Sequence, residues 1–172
     1  MRKIFLSVIL CAMAFVAKAQ VESIDIKGSF RSDFGLGVGL TADLGNNFEL
    51  SPSMNFYFWD CGTHIDFEGD FHYNIDLGKK FTFYPIVGFV ICHTNLKDDH
   101  VCHYHPHLHA HEDPEHYYDG HTDFGVDIGC GIKYDFSRKC AGFIDLKYQW
   151  VNKDYDHNYD DTFFSLGVKL AI

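Results

Sequence analysis

From residue 34 to the C-terminus the chain alternates between apolar and polar positions with a period of two, the spacing of a strand with one greasy face. In "FGLGVGLTADL", Phe34, Leu36, Val38, Leu40, Ala42 and Leu44 alternate with glycine, Thr41 and Asp43. In "IDFEGDFHYNIDL", Ile65, Phe67, Gly69, Phe71, Tyr73, Ile75 and Leu77 face one way, and Asp66, Glu68, Asp70, His72, Asn74 and Asp76 the other. The same reading covers Phe48 to Trp59, Thr122 to Phe136, Ala141 to Asn152 and Thr162 to Ile172. Phe81 to His93 follows it with Ile86 and Val90 breaking the polar face, and Val21 to Ser32 follows it least clearly. The pattern predicts eight strands and no helix.

The connections alternate as well. Tight turns are predicted at 45–47, 78–80 and 137–139; the others are a tight one near Ser32-Asp33, a moderate one at 60–64, and long ones at 97–121 and 153–161. An even strand number with short turns at one end and longer loops at the other predicts an all-β fold, an eight-stranded antiparallel up-and-down transmembrane β-barrel. Both termini then lie at the short-turn, periplasmic end. Two aromatic girdles are expected, Tyr57, Phe58, Trp59, Tyr148 and Trp150 at the loop end, and Phe48, Phe81, Phe83, Tyr134 and Phe136 at the turn end. The competing fold is a soluble barrel with its apolar face turned inward around a ligand. Pro52 and Pro85 fall inside strands, where each removes a ladder hydrogen bond, so either a bulge at each or strand ends displaced by several residues is expected.

The first residues change the picture in favour of lipid. Arg2 and Lys3, the apolar run Ile4 to Val16 and Ala17-Lys18-Ala19 read as a secretory signal over residues 1–19, followed by a barrel domain over 20–172. Cleavage there leaves 11 basic residues against 24 acidic ones, moving the formal charge from −10 to −13. So acidic a chain excludes nucleic acid as a partner and suits cations. Five cysteines follow the signal, Cys61, Cys92, Cys102, Cys130 and Cys140; an odd number without CxxC is neither a disulfide framework nor a thiolate zinc knot.

The final segment "SLGVKLAI" places Ser165, Gly167, Leu170 and Ile172 in the pattern of the assembly signal that ends bacterial outer-membrane barrels, with Ile172 where an aromatic is usual. With "FELSPSMNFYF" and "FGVDIGCGIKYDFSRKCAGFIDLKYQW", the chain from 21 to 172 resembles the small outer-membrane β-barrel family, the porin-family or OmpX/OmpA-like barrels. The resemblance implies location in the cell outer membrane of a Gram-negative bacterium. It also implies outer-membrane lipid and the barrel-assembly machinery as partners, and a monomer.

Eight strands leave a lumen that side chains fill. The predicted lumen holds Asp43, Glu49, Asp66, Glu68, Asp70, Asp76, Asp127, Asp135 and Asp145 against Lys27, Arg31, Lys133, Lys147 and Lys169. A plugging network of ion pairs is expected, with protons, water or bound cations offsetting the excess acid; a narrow cation-selective pore is the alternative. No nucleophile motif accompanies the Ser, His and Asp residues, so no catalytic residues are assigned and no enzyme is expected.

Candidate chemistry concentrates in one loop. Nine of the twelve histidines lie between His93 and His121, and "HYHPHLHAH" puts one at every second position. Residues two apart in extended chain share a face, so neighbouring imidazoles can chelate one borderline metal, zinc, copper or nickel. The candidate ligands are His100, His103, His105, His107, His109, His111, His116 and His121, within an acidic field from Asp98, Asp99, Glu112, Asp113, Glu115 and Asp119. Cys102 either adds a soft ligand or pairs with Cys61. The expected function is divalent-metal binding by the 97–121 loop, with no required cofactor. Against it stand a structural or adhesive surface protein that meets an extracellular or host partner, and a solvated loop that gains positive charge near pH 6.

Overall fold

The computed structural model describes residues 20–31, 33–59, 62–96, 121–152 and 159–172. The segment predicted as a signal (1–19) and residues 97–120 of the predicted histidine loop (97–121) lie outside them, as do Cys61 and Cys102. Nine strands follow in order: β1 (Gln20–Phe30), β2 (Phe34–Gly45), β3 (Phe48–Trp59), β4 (Gly62–Tyr73), β5 (Ile75–Gly78), β6 (Phe81–Leu96), β7 (His121–Ser137), β8 (Cys140–Asn152) and β9 (Tyr159–Ala171). Apart from β4 and β5, which do not pair with each other, each strand pairs antiparallel with the next; β1 pairs with β9, and both β4 and β5 pair with β6. These ladders close the sheet. β4 and β5 are one stave interrupted at Asn74, so the barrel has eight staves, the number and order that the alternation predicts.

Proline explains the interruption. The register pairs His72 with Ile86 and resumes with Ile75 against Phe83, which leaves Tyr73 opposite Pro85. Pro85 has no N–H to give across the ladder, while on the β3 side the Asn74 N–H donates to the Asn47 carbonyl at 2.8 Å and carries the register on past Phe48–Tyr73. Pro52 stays opposite Gly69, and the β2–β3 register is the same on either side of it. The expected bulges are therefore absent at both prolines. The register shifts lie at Val21/Ser23, Asp43/Gly45, Asp76/Gly78 and Asp135/Ser137, all at the turn end.

Polarity is inverted relative to a soluble domain. Ile24, Ile26, Val38, Val87, Phe89, Val126, Ile128, Ile144 and Leu166 all point outward and exposed, whereas Asp25, Lys27, Glu68, Asp127, Lys147 and Gln149 are buried inside. A continuous apolar outer surface of this size requires hydrocarbon around it. That decides against the soluble barrel. The aromatic girdles are largely as expected: Phe48–Tyr73 and Phe81–Tyr134 pack at the turn end, Tyr148–Trp150 and Phe34–Phe58 at the loop end. Tyr57 is a correction. It shares the parity of Glu49 and Asn55 and is buried in the lumen rather than set in the girdle.

Two turns repeat one device. "DLGNNF" (43–48) and "DLGKKF" (76–81) each place a glycine at positive φ, 81° at Gly45 and 78° at Gly78, before a two-residue loop. Asn46 and Asn47 take φ of 55° and 68°, and Lys79 and Lys80 take 54° and 74°. Positive φ at both loop residues is the signature of a type I′ turn, which suits asparagine and glycine and strains lysine. Asp43 and Asp76 each accept the N–H of the glycine two residues on at 2.7 Å. This use corrects their assignment to the lumen network, since their carboxylates are committed to their own turns.

Two measurements follow. Replacing Lys79 by Asn together with Lys80→Gly should stabilise the folded barrel by about 0.5–1 kcal/mol, read as a raised urea midpoint for refolding into lipid vesicles. Ile128→Arg, at the middle of β7 on the outer face, should cost about 2–4 kcal/mol in the same assay; a neutral result would mean that this face meets water.

Candidate functional site: the lumen and its outer mouth

Lumen-facing side chains stack in three levels. At the turn end, Ser23 and Thr41 donate hydroxyl hydrogen bonds to Asp25 at 2.8 and 2.6 Å, and Lys169 donates to Thr41 at 2.6 Å and lies 3.5 Å from Asp25. Glu49 gathers Lys133 at 3.5 Å, Lys169 at 3.9 Å and the Asn74 side-chain amide. Here residues of the two DLG turns, with Lys133 and Asp135, line a cavity of about 350 Å³. Asp135 and Lys133 are thus at the rim rather than deep in the lumen.

At mid-height one ammonium organises three carboxylates. Lys147, on β8, sits 2.9 Å from Glu68, 2.7 Å from Asp70 and 3.6 Å from Asp127, with the Phe163 ring 4.7 Å beneath it. Lys27 reaches the same Glu68 oxygen at 2.9 Å and also donates to Ser53. Beside them the Tyr84 hydroxyl donates to Asp145 at 2.6 Å, and its ring stacks on His72. The largest fully buried side chains, Tyr84, Lys147, Phe163, Ile86 and Gln149, all occupy this lumen. Glycine makes the room. A Cβ on Gly131 would run into Asp145 and the Tyr84 ring, and one on Gly37 into the Asn55 side chain.

At the outer mouth, Arg31 donates to Gln149 and lies 3.8 Å from Asp66 Oδ2. His64, Asp66 and Cys92 present an imidazole nitrogen, a carboxylate oxygen and a thiol sulfur all within 4.8 Å of one another. Register brings them there, since Asp66 pairs with Cys92 and His64 with Thr94 across β4 and β6. Of the three, only Asp66 figures in the expected lumen, and none among the expected metal ligands.

Those expected ligands, His100, His103, His105, His107, His109, His111 and His116, lie outside the described residues. His121 is placed by its backbone alone, opposite Thr94 at the start of β7. His93 is near the same rim, where its Nδ1 is 3.0 Å from the Thr122 hydroxyl.

The lumen carries more acid than base. Asp25, Glu49, Asp66, Glu68, Asp70, Asp123, Asp127 and Asp145 are buried, against Lys27, Lys147 and Lys169 with Arg31 close to buried. Asp25 and Asp123 escaped the sequence reading, the first because β1 alternates weakly and the second because it sits beside the loop boundary.

No protein-family model and no curated protein matches the sequence. Solved structures do match the fold. The N-terminal β-barrel domain of Pseudomonas aeruginosa OprF is 18% identical over 90% of this chain and 100% of that one, with a TM-score of 0.61. Neisserial surface protein A is 11% identical over 88% and 95%, TM-score 0.62. A major outer membrane protein from Thermus thermophilus is 12% identical over 89% and 100%, TM-score 0.55. The chain therefore has the fold of the small outer-membrane β-barrels.

Lys147→Met should leave Glu68, Asp70 and Asp127 facing one another without their shared cation. The expected cost is about 3–5 kcal/mol, measured as a lowered urea midpoint, beside about 0.5 kcal/mol or less for Lys139→Met on the exposed turn.

Proposed function

We propose that this chain is an outer-membrane protein whose barrel is a plugged support and whose working part is the histidine-rich segment 97–121, a binder of divalent transition metal. The observation that carries this reading is the Lys147 network, which fills the lumen at mid-height and so favours the outer rim over a pore as the working part. β6 and β7, with 16 and 17 residues the longest strands described, pair out to Thr94 and His121 and hold the two ends of the histidine segment together there. Imidazoles at every second position, set among carboxylates, supply borderline ligands and a field that concentrates cations. Signal cleavage after residue 19 and a monomeric barrel belong to the same proposal.

The test is calorimetric titration of zinc and copper into the refolded barrel in detergent micelles at pH 7.4 and 5.5. A variant with His103, His105, His107, His109 and His111 changed to Ala is titrated alongside. Saturable binding tighter than about micromolar, lost at the lower pH and in the variant, is the expected result. Protonation accounts for the pH effect, because a metal takes the neutral imidazole. Weak many-sited binding, or binding unchanged in the variant, would overturn the metal reading and favour a surface-adhesion role for the segment.

A further inference from the structure

We propose that His64, Asp66 and Cys92 form a second, preorganised site for one thiophilic divalent ion of the zinc class, set in the barrel wall at the outer mouth. It does not rest on the histidine segment. Each of the three donors, an imidazole, a carboxylate and a thiolate, is of a type that such an ion takes, and three protein ligands leave a fourth position open. They lie within 4.8 Å of one another, and the donor separations of about 3.3–3.8 Å that tetrahedral bonds of about 2.0–2.3 Å impose are reached by closing the widest pair and opening Nε2 from Oδ1, now at 2.8 Å.

The polar atoms at this place are not satisfied by one another. Asp66 has no solvent exposure, yet neither of its carboxylate oxygens has a hydrogen-bond partner. His64 Nε2 lies 2.8 Å from Asp66 Oδ1, in a geometry that makes no hydrogen bond. The other ring nitrogen, Nδ1, is 2.9 Å from the Thr94 hydroxyl. Thr94 thus engages the ring at Nδ1 and leaves Nε2, beside Oδ1, without a hydrogen-bond partner of its own. An outer partner on the second nitrogen is also how metal-binding histidines are held in the correct tautomer.

Arg31 does not fill the role. Its guanidinium is 3.8 Å from Asp66 Oδ2 while Nε2 faces Oδ1, and it is engaged with Gln149. It offsets the charge of the carboxylate and leaves the inner oxygen available. Cys92 supplies the selectivity. Its side chain is buried within the wall beside Val90 and Val151, and a thiolate there favours zinc-class ions over the calcium and magnesium that carboxylates alone would take. His64 is the exposed member, with its side chain 20% accessible, and marks the entry path.

The experiment uses the full barrel with His100, His103, His105, His107, His109, His111, His116 and His121 all changed to Ala, so that the segment above cannot answer for the site. Cobalt(II) is titrated at pH 7.4 and followed by absorbance, with folding checked by heat-modifiable gel mobility. The expected result is one equivalent per barrel, a thiolate-to-cobalt charge-transfer band in the near ultraviolet, and displacement by zinc. Cys92→Ser should abolish the band, and His64→Gln, a mild change at the rim, should weaken binding by at least about tenfold. Failure of the barrel lacking those eight histidines to bind one equivalent, or a band that survives Cys92→Ser, would overturn the site. Loss of the segment's binding in the earlier titration, with this band retained, separates the fate of the two readings.

Discussion

Closure of the backbone ladder is the constraint from which the rest follows. Hydrocarbon offers no hydrogen bonds, so a sheet that crosses it must pair its last strand with its first. Here the β1–β9 ladder from Ser23/Ala171 to Phe30/Phe164 and the β4–β6 ladder meet that demand. The one stave that breaks does so at Asn74, opposite the neighbourhood of Pro85 and close to the turn end, where its N–H still bonds the Asn47 carbonyl on the β3 side. Closing eight staves fixes a narrow bore, and period-two alternation then forces every polar face into it. The dense charge network is thus a consequence of chain topology before it is a device.

Burying so many charges is tolerable only because cations are shared. Lys147 serves three carboxylates and Lys27 reaches one of the same three, while Lys169 bridges Asp25 and Glu49 at the turn end. Sharing leaves gaps. Glu68 Oε1, Asp70 Oδ1 and both oxygens of Asp127 have no hydrogen-bond partner, and neither do those of Asp66. The interior groups lie against an ammonium, whereas Asp66 lies near the rim with an imidazole and a thiol. Identical chemistry therefore reads as plug at mid-height and as ligand at the mouth.

Much of this was legible in the sequence because a strand encodes its faces directly. Strand number, order, three turn positions and the inward set Glu49, Asp66, Glu68, Asp70, Asp127, Asp145, Lys27, Lys147 and Lys169 all follow from parity. Parity fails where a side chain serves its own backbone, as Asp43 and Asp76 do, although the repeated "DLG" before a two-residue loop was a readable signal. Residue type misleads where it is read ahead of parity, as with Tyr57, whose place on the polar face of β3 outranks its aromatic character. The prolines misled for a third reason. Both point outward, and a lost N–H was absorbed without inserting a residue.

The mouth cluster was out of reach because it depends on register between strands rather than on any one strand. His64 and Asp66 are two apart on β4, but Cys92 joins them only through the pairing of Asp66 with Cys92. Counting inward parity along β6 from Thr82 would have placed Cys92 on the lumen face; pairing it with the correct carboxylate needs the β4–β6 offset. That offset sets the physical contrast between the two proposed metal sites. A histidine-rich segment collects ions through number and charge, with little discrimination among borderline metals. A thiolate held in a rigid wall discriminates by softness and geometry, since its strands are fixed by ladders on both sides. Placed four residues before the end of β6, Cys92 stands where an ion drawn to the outer segment would next meet a ligand it prefers.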